Sequence, residues 1–115
     1  MADVQGTEKT ASGLDENVAA ALAYSLGWIT GIVFLMKEPT NRFVRFHAMQ
    51  STIAFGALSV AFVLLQSIPI LGMLITVFLV IPLSAVLWLV LMFKAYQGEK
   101  FKLPIAGDMA EQRIL

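Results

Sequence analysis

An all-α integral membrane protein with three transmembrane helices is the fold class that the sequence predicts, and three observations predict it. Of 115 residues, 58% are apolar and only 14% are charged, against about half and about a quarter in soluble domains. The mean hydropathy is +0.79. Three long runs, residues 18–36, 51–68 and 70–93, contain no Asp, Glu, Lys, Arg or His. At this length a single domain is expected, divided into a flexible polar tail at 1–13, a transmembrane domain at 14–98 and a second tail at 99–115.

The first tail contains Gly6 and Gly13 and has neither the basic start nor the apolar core of a signal peptide. Ser12 and Asp15 stand at the spacing of a capping box, in which a side-chain oxygen accepts from an amide left open at a helix start, so the first helix should begin near Leu14. The run 18–36 has 19 uncharged residues, close to the roughly 20 that cross a hydrocarbon core of about 30 Å. It reads as the first span, closed by Lys37 and Glu38. Pro39, Thr40 and Asn41 then make a short connection whose proline can start the next helix.

Residues 41–50 carry Arg42, Arg45 and His47 among Phe43, Val44, Phe46 and Met49, and run without a breaker into the uncharged stretch 51–68. The second helix therefore has an amphipathic, basic start in the headgroup zone. Pro69 interrupts it at a tight hairpin without charge. The third run contains Pro82 near its middle, and neither half alone would cross at about 1.5 Å per residue, so one proline-kinked span is predicted. Gly98 caps its end.

Three crossings place Lys37, Arg42, Arg45, Lys94, Lys100, Lys102 and Arg113 on one side and Lys9 on the other. Basic residues flanking spans favour the cytoplasm, which predicts an outer N terminus and a cytoplasmic C terminus in the cell membrane.

Ala19, Ala23, Gly27 and Gly31 recur every four residues and form a small-residue ridge. Because lipid tails supply no hydrophobic drive between helices, close backbone approach along such a ridge is how they gain contact energy. The ridge serves packing within one three-helix unit or a seam between copies. His47 and Gln50 begin a small and polar stripe on the second helix and should turn inward. His47 is a hydrogen-bonded interfacial side chain or, because imidazole titrates near neutrality, a pH-sensing or ligand-contacting one. Arg42 and Arg45, one turn apart beside aromatic rings, suit the phosphates of anionic lipids or act as generic topology-setting charge.

With no cysteine and one histidine, thiolate chemistry is excluded and a metal site is not expected. Ion-coupled pumps usually need an ionisable group at depth, and the three runs hold none. Their hydroxyls lack a nearby base, so no catalytic residue and no cofactor site is expected, and the chain does not read as an enzyme.

The string Asn41-Arg42-Phe43-Val44-Arg45-Phe46-His47-Ala48-Met49-Gln50-Ser51, with Lys94-Ala95-Tyr96-Gln97-Gly98-Glu99 and Leu103-Pro104, resembles a widespread family of small, uncharacterised prokaryotic membrane proteins. Gly13-Leu14-Asp15-Glu16-Asn17 and Gly27-Trp28 match its opening, and the resemblance covers roughly residues 13 to 111. That family is similar, more distantly, to the Tic-twenty component of the chloroplast inner-envelope import machinery. The resemblance implies no catalytic residue; it adds weight to Arg42, Arg45, His47 and Gln50 as partner or lipid contacts. The expected function is association with membrane lipids or other membrane proteins, in translocation or complex assembly. The alternative is an oligomeric channel. Expected partners are lipids, anionic ones included, further copies or other membrane proteins, and no nucleic acid.

Overall fold

The computed structural model describes residues 10–11 and 13–113. Their helices are α1 (Glu16–Ser25), α2 (Trp28–Lys37), α3 (Arg42–Leu65), α4 (Pro69–Ile75), α5 (Ile81–Tyr96) and α6 (Ala106–Arg113), with a π turn at Thr76–Val80 fusing α4 to α5. Two stretches are long and apolar enough to cross a membrane, Arg42–Leu65 and Pro69–Tyr96, rather than the three expected.

The expected first span is instead a helical hairpin of two 10-residue helices, each about 15 Å long at ~1.5 Å per residue. Its turn lies at Leu26–Gly27, where Gly27 adopts φ +65°, a left-handed conformation that glycine takes without the steric cost of a Cβ. The hairpin goes in and comes back. At its open end the Ala11 amide donates to Glu38 Oε1 at 2.9 Å, and Asn41 Nδ2 lies 3.3 Å from Glu16 Oε2. α1 runs antiparallel to α5, since Asn17 Nδ2 donates to the Tyr96 carbonyl at 2.8 Å and Trp88 Nε1 to that of Ser25 at 3.1 Å.

A turn in apolar surroundings is stable only if its peptide groups find partners. Here the Leu26 amide donates to Thr30 Oγ1 at 3.1 Å, and Thr30 Oγ1 donates back to the Ala23 carbonyl at 2.9 Å. Ser51 Oγ of α3 donates to the Gly27 carbonyl at 2.8 Å. The 19-residue uncharged run therefore hides a break that hydropathy alone does not register.

The ridge is divided by the same turn. Ala19 and Ala23 are fully buried in the core that α1 shares with α3 and α5, whose members include Tyr24, Val44, Ala48, Leu91 and Ala95. Gly27 forms the turn. Gly31 faces α3, where a Cβ would lie 2.6 Å from Thr52 Oγ1 and 2.7 Å from the Ala48 carbonyl oxygen. These small residues are used within the chain.

α3 follows the expected course as one helix from the basic segment to the far end. Asparagine rather than proline starts it: the Val44 amide donates to Asn41 Oδ1 at 2.9 Å. Pro82 disturbs the last span as a π turn in the preceding residues, where the Ile81 amide reaches back five residues to the Thr76 carbonyl. The capping box at Ser12 lies outside the described residues, as does most of the first tail; Asp15 is the N-cap of α1.

All described charged side chains gather at one end, where α1 and α3 begin and α2 and α5 finish; the opposite end is the uncharged turn Gln66-Ser67-Ile68. The division of basic residues between two sides rests on three crossings, of which two are found as long apolar helices; Lys9, the residue set apart by it, lies outside the described residues. The second tail is also more than a tail. Residues 99–103 run extended across α3, and α6 then packs on it, with Ala110 buried against Phe46 beside Met49 and Ile53.

Gly31→Leu is expected to force α2 off α3 and to lower unfolding stability by about 1–3 kcal/mol, the usual scale of overpacking. Thermal unfolding of the detergent-solubilised protein measures it, and an unchanged midpoint would place Gly31 at a lipid-facing position.

Candidate functional site at the charged end

Tyr24, His47 and Gln50 form a buried polar node one to two turns inside the charged end. The hairpin turn brings Tyr24 to α3 at this depth, and the three-residue spacing of His47 and Gln50 puts both on the face that meets it. Tyr24 OH lies 2.7 Å from His47 Nδ1, and Gln50 Nε2 donates to the same phenol oxygen at 2.9 Å. His47 Nε2 is 2.9 Å from the Glu99 carbonyl oxygen. Since a carbonyl only accepts, Nε2 carries the proton, and a neutral ring then accepts the Tyr24 hydroxyl at Nδ1. Gln50 Nε2 also donates to the Phe101 carbonyl at 2.9 Å, and Gln50 Oε1 accepts the Leu103 amide at 2.8 Å. One side-chain amide thus pairs with two alternate peptide groups of the extended segment, as a neighbouring β-strand would.

The node is closed by rings. His47 has edge-on contacts with Tyr24, Phe43 and Phe46, at centroid distances of 5.5, 4.7 and 5.2 Å. Phe43 and Phe46, expected beside the headgroups, are buried around the imidazole. Among the described residues no buried side-chain nitrogen or oxygen lacks a hydrogen-bond partner. The node's polar capacity is spent on holding the C-terminal segment, which favours the interfacial reading of His47 over a ligand-contacting one.

Outside the node, lysines grip α6. Lys100 Nζ lies 2.6 Å from Glu111 Oε2, while Lys102 Nζ meets Glu111 Oε1 at 2.8 Å and Asp108 Oδ1 at 2.9 Å. The hydrogen bonds from Lys100 and Lys102 hold the Glu111 carboxyl well below its ordinary range, at about 2. Those to Glu111 and Asp108 raise Lys102 to about 12. Lys100 also lies over the Phe46 ring, 5.0 Å from its centroid, which ties this cluster to the α6 contact.

The two arginines part company. Arg45 Nη1 donates to the Leu35 carbonyl at 2.9 Å and the Glu38 carbonyl at 3.1 Å, so it caps the C-terminal end of α2. Arg42, one turn earlier, is exposed and has no side-chain partner among the described residues. A paired fork for one phosphate does not form. Tyr24 is the residue that sequence reasoning missed. Its signal was a lone phenol in the small-residue segment Ala19 to Ser25, since a buried hydroxyl needs a partner.

Comparison with protein families matches residues 11–110 to MamF/MmsF, the magnetosome magnetite crystal formation protein family. The chain belongs to this family. Among relatives, it is 53% identical over 104 residues to a UPF0132 membrane protein of Methanocaldococcus jannaschii, covering 90% of this chain and 93% of that one. A UPF0132 membrane protein of Archaeoglobus fulgidus is 50% identical over 101 residues, covering 88% and 97%. No solved structure matches. The match bears out the resemblance to small prokaryotic membrane proteins, and it lends no support to kinship with the chloroplast import component. For this MamF/MmsF member the node and its strap of residues 99–103 lie wholly inside the matched region.

Gln50→Leu removes the partners of the Leu103 amide and the Phe101 carbonyl and is expected to cost about 1–3 kcal/mol, the scale of a buried polar group left unpaired. Faster amide hydrogen exchange confined to 101–113 would accompany the loss; uniform exchange would show that the strap is held by other contacts. The Glu111 interaction has a definite pH sign. Its folded pKa lies below the ordinary 4.5, so its stabilisation is present above that value and is lost as pH falls toward about 2. Protection of α6 amides should therefore fall over that interval, and Glu111→Gln should remove the dependence.

Proposed function

We propose that this MamF/MmsF family member is a non-enzymatic, bilayer-embedded association module that contributes to membrane-complex assembly through its apolar faces and its charged end. The observation that carries the reading is the division of the molecule. The polar node serves the chain's own fold and leaves Lys37 and Arg42 exposed at the charged end, whereas beyond the hairpin turn only two helices remain, with Val60, Phe62, Val63, Leu79 and Ile81 all exposed. Such surface is compatible with lipid and with close packing against other transmembrane helices.

The family description speaks of magnetite crystal formation in magnetosomes, and the named relatives are described as membrane proteins. In the C-terminal segment Asp108 and Glu111 are engaged by lysine ammonium groups, and Glu99 lies 3.4 Å from Lys94. The reading therefore rests on membrane association and not on an acidic mineral-facing surface. A pore built from several copies is the rival reading; it would have to be lined by the same exposed aliphatic side chains.

The topology proposed is two crossings and a re-entrant hairpin, with the charged end in the cytoplasm. Lys37, Arg42, Arg45, Lys94, Lys100, Lys102 and Arg113 flank the spans there, and the opposite loop has no basic residue. Single cysteines at Ala11 and Gln112 are expected to resist an impermeant thiol reagent in intact cells, and one at Ser67 to react. Labelling at Ala11 with protection at Gln112 would restore three crossings. Affinity purification in mild detergent with mass analysis of the intact complex tests the function: a co-purifying membrane protein supports association, and a pure ring of identical chains supports the pore.

A further inference from the structure

The next inference rests on that reading and concerns the outer face shared by α2 and α3. Lys37 ends α2 and Arg42 opens α3; both are exposed, and neither has an ion-pair partner among the described residues. Glu38, the acid between them, is fully buried with Oε1 turned to the Ala11 amide, so it does not offset them at the surface. Arg45 is committed to the carbonyls of α2. Two exposed cations thus flank the short turn between α2 and α3, at the rim of an apolar face.

That face leads inward. Met36, Val33, Ile32 and Ile29 are exposed along α2, and at Trp28 the helix stops. Beyond it lies an open apolar cleft of about 400 Å³ whose lining includes Trp28, Gly56, Val60 and Val63. Gly56 has room beside it, since an added Cβ would meet only the Trp28 Cβ, at 4.0 Å. Gly56 lies 14 residues along α3 from Arg42, about 21 Å at ~1.5 Å per residue. Half the thickness of a bilayer including its headgroups is about 20–22 Å. A lipid whose phosphate sits at the level of Arg42 therefore ends its chains at the level of Trp28 and Gly56.

The geometry points to one anionic phospholipid held on this face, its phosphate at Lys37 and Arg42 and one apolar chain lying along α2 into the cleft beside Trp28 and Gly56. Charge selects the headgroup and the length of the face selects a long chain. The positive pair explains anionic preference without a bidentate fork, because two separate cations can each donate to a phosphate oxygen. The re-entrant hairpin makes the site, since a full-length first span would cover the cleft.

Native mass spectrometry of the delipidated full chain, with lipids added back, tests this. The probes are long-chain phosphatidylglycerol, phosphatidylcholine with the same chains, dihexanoyl phosphatidylglycerol and inorganic phosphate. The parent should retain one long-chain phosphatidylglycerol about tenfold more tightly than phosphatidylcholine, the scale of one or two charge-assisted hydrogen bonds, and should bind the short-chain lipid and inorganic phosphate weakly. Lys37→Gln with Arg42→Gln should abolish the headgroup preference, and Gly56→Trp, which fills the cleft without altering charge, should lower long-chain retention about tenfold. Val60→Trp serves where Gly56→Trp does not fold. Inorganic phosphate bound as tightly as the lipid would make this a free-anion site and overturn the proposal. So would unchanged selectivity in the double Gln variant, or unchanged retention in both Trp variants. If the parent still brings down a membrane partner while showing no lipid selectivity, this inference alone fails; if it takes neither partner nor lipid, the association reading fails with it.

Discussion

Peptide groups in apolar surroundings must be paired, and the turn at Leu26–Gly27 is where this fold meets that requirement outside a regular helix. Thr30, Ser51 and Trp88 supply the partners from α2, α3 and α5 respectively. Once those three side chains are in place, the chain can reverse at half depth. The reversal brings Gly31 against Ala48 and Thr52, and it leaves α3 and α5 alone beyond the turn. Close packing on one side and open apolar surface on the other are consequences of the same reversal.

The node depends on it too. Tyr24 reaches His47 and Gln50 only because α1 runs inward beside α3 and ends just past the phenol. With the phenol paired, His47 and Gln50 turn their remaining capacity to the peptide groups of Glu99, Phe101 and Leu103. The strap then carries Lys100 and Lys102 to α6, whose Ala110 closes over Phe46. Hairpin, node, strap and α6 are therefore joined by one continuous set of contacts at the charged end. Its interior is polar only where every group has a partner, the condition under which buried polar groups do not destabilise a fold.

Electrostatics follow the same path of the chain. A single helix over residues 18–36 would set the charges on either side of it far apart; the hairpin gathers the described ones at one end. There most described charges are absorbed locally: Arg45 by the end of α2, Lys100 and Lys102 by α6, Glu38 by a backbone amide. Lys37 and Arg42 stay exposed at the rim of the apolar face, so the cationic charge left over there lies outside the node.

By itself the sequence determined the membrane class, the all-helical content, the unbroken second helix with its basic start, the disturbance at Pro82 and the inward turn of His47 and Gln50. Each is set by composition, periodicity or a covalent property such as the missing proline amide, all of them local. Tertiary structure decided the rest. Residues 18–36 satisfy the length test for a span, and whether they cross or turn depends on Ser51 and Trp88, which are remote in sequence. Arg42 and Arg45 look equivalent on a helix, and only the position of the α2 terminus makes one a cap and leaves the other free for solvent or lipid. Tyr24 was legible as a hydroxyl needing a partner, but the partner's identity required knowing which helices meet. Hydropathy measures the transfer of side chains to an apolar phase; it does not register whether distant hydroxyl and indole groups stand ready to pair the peptide groups of a turn, and that pairing makes residues 18–36 a hairpin rather than one long helix.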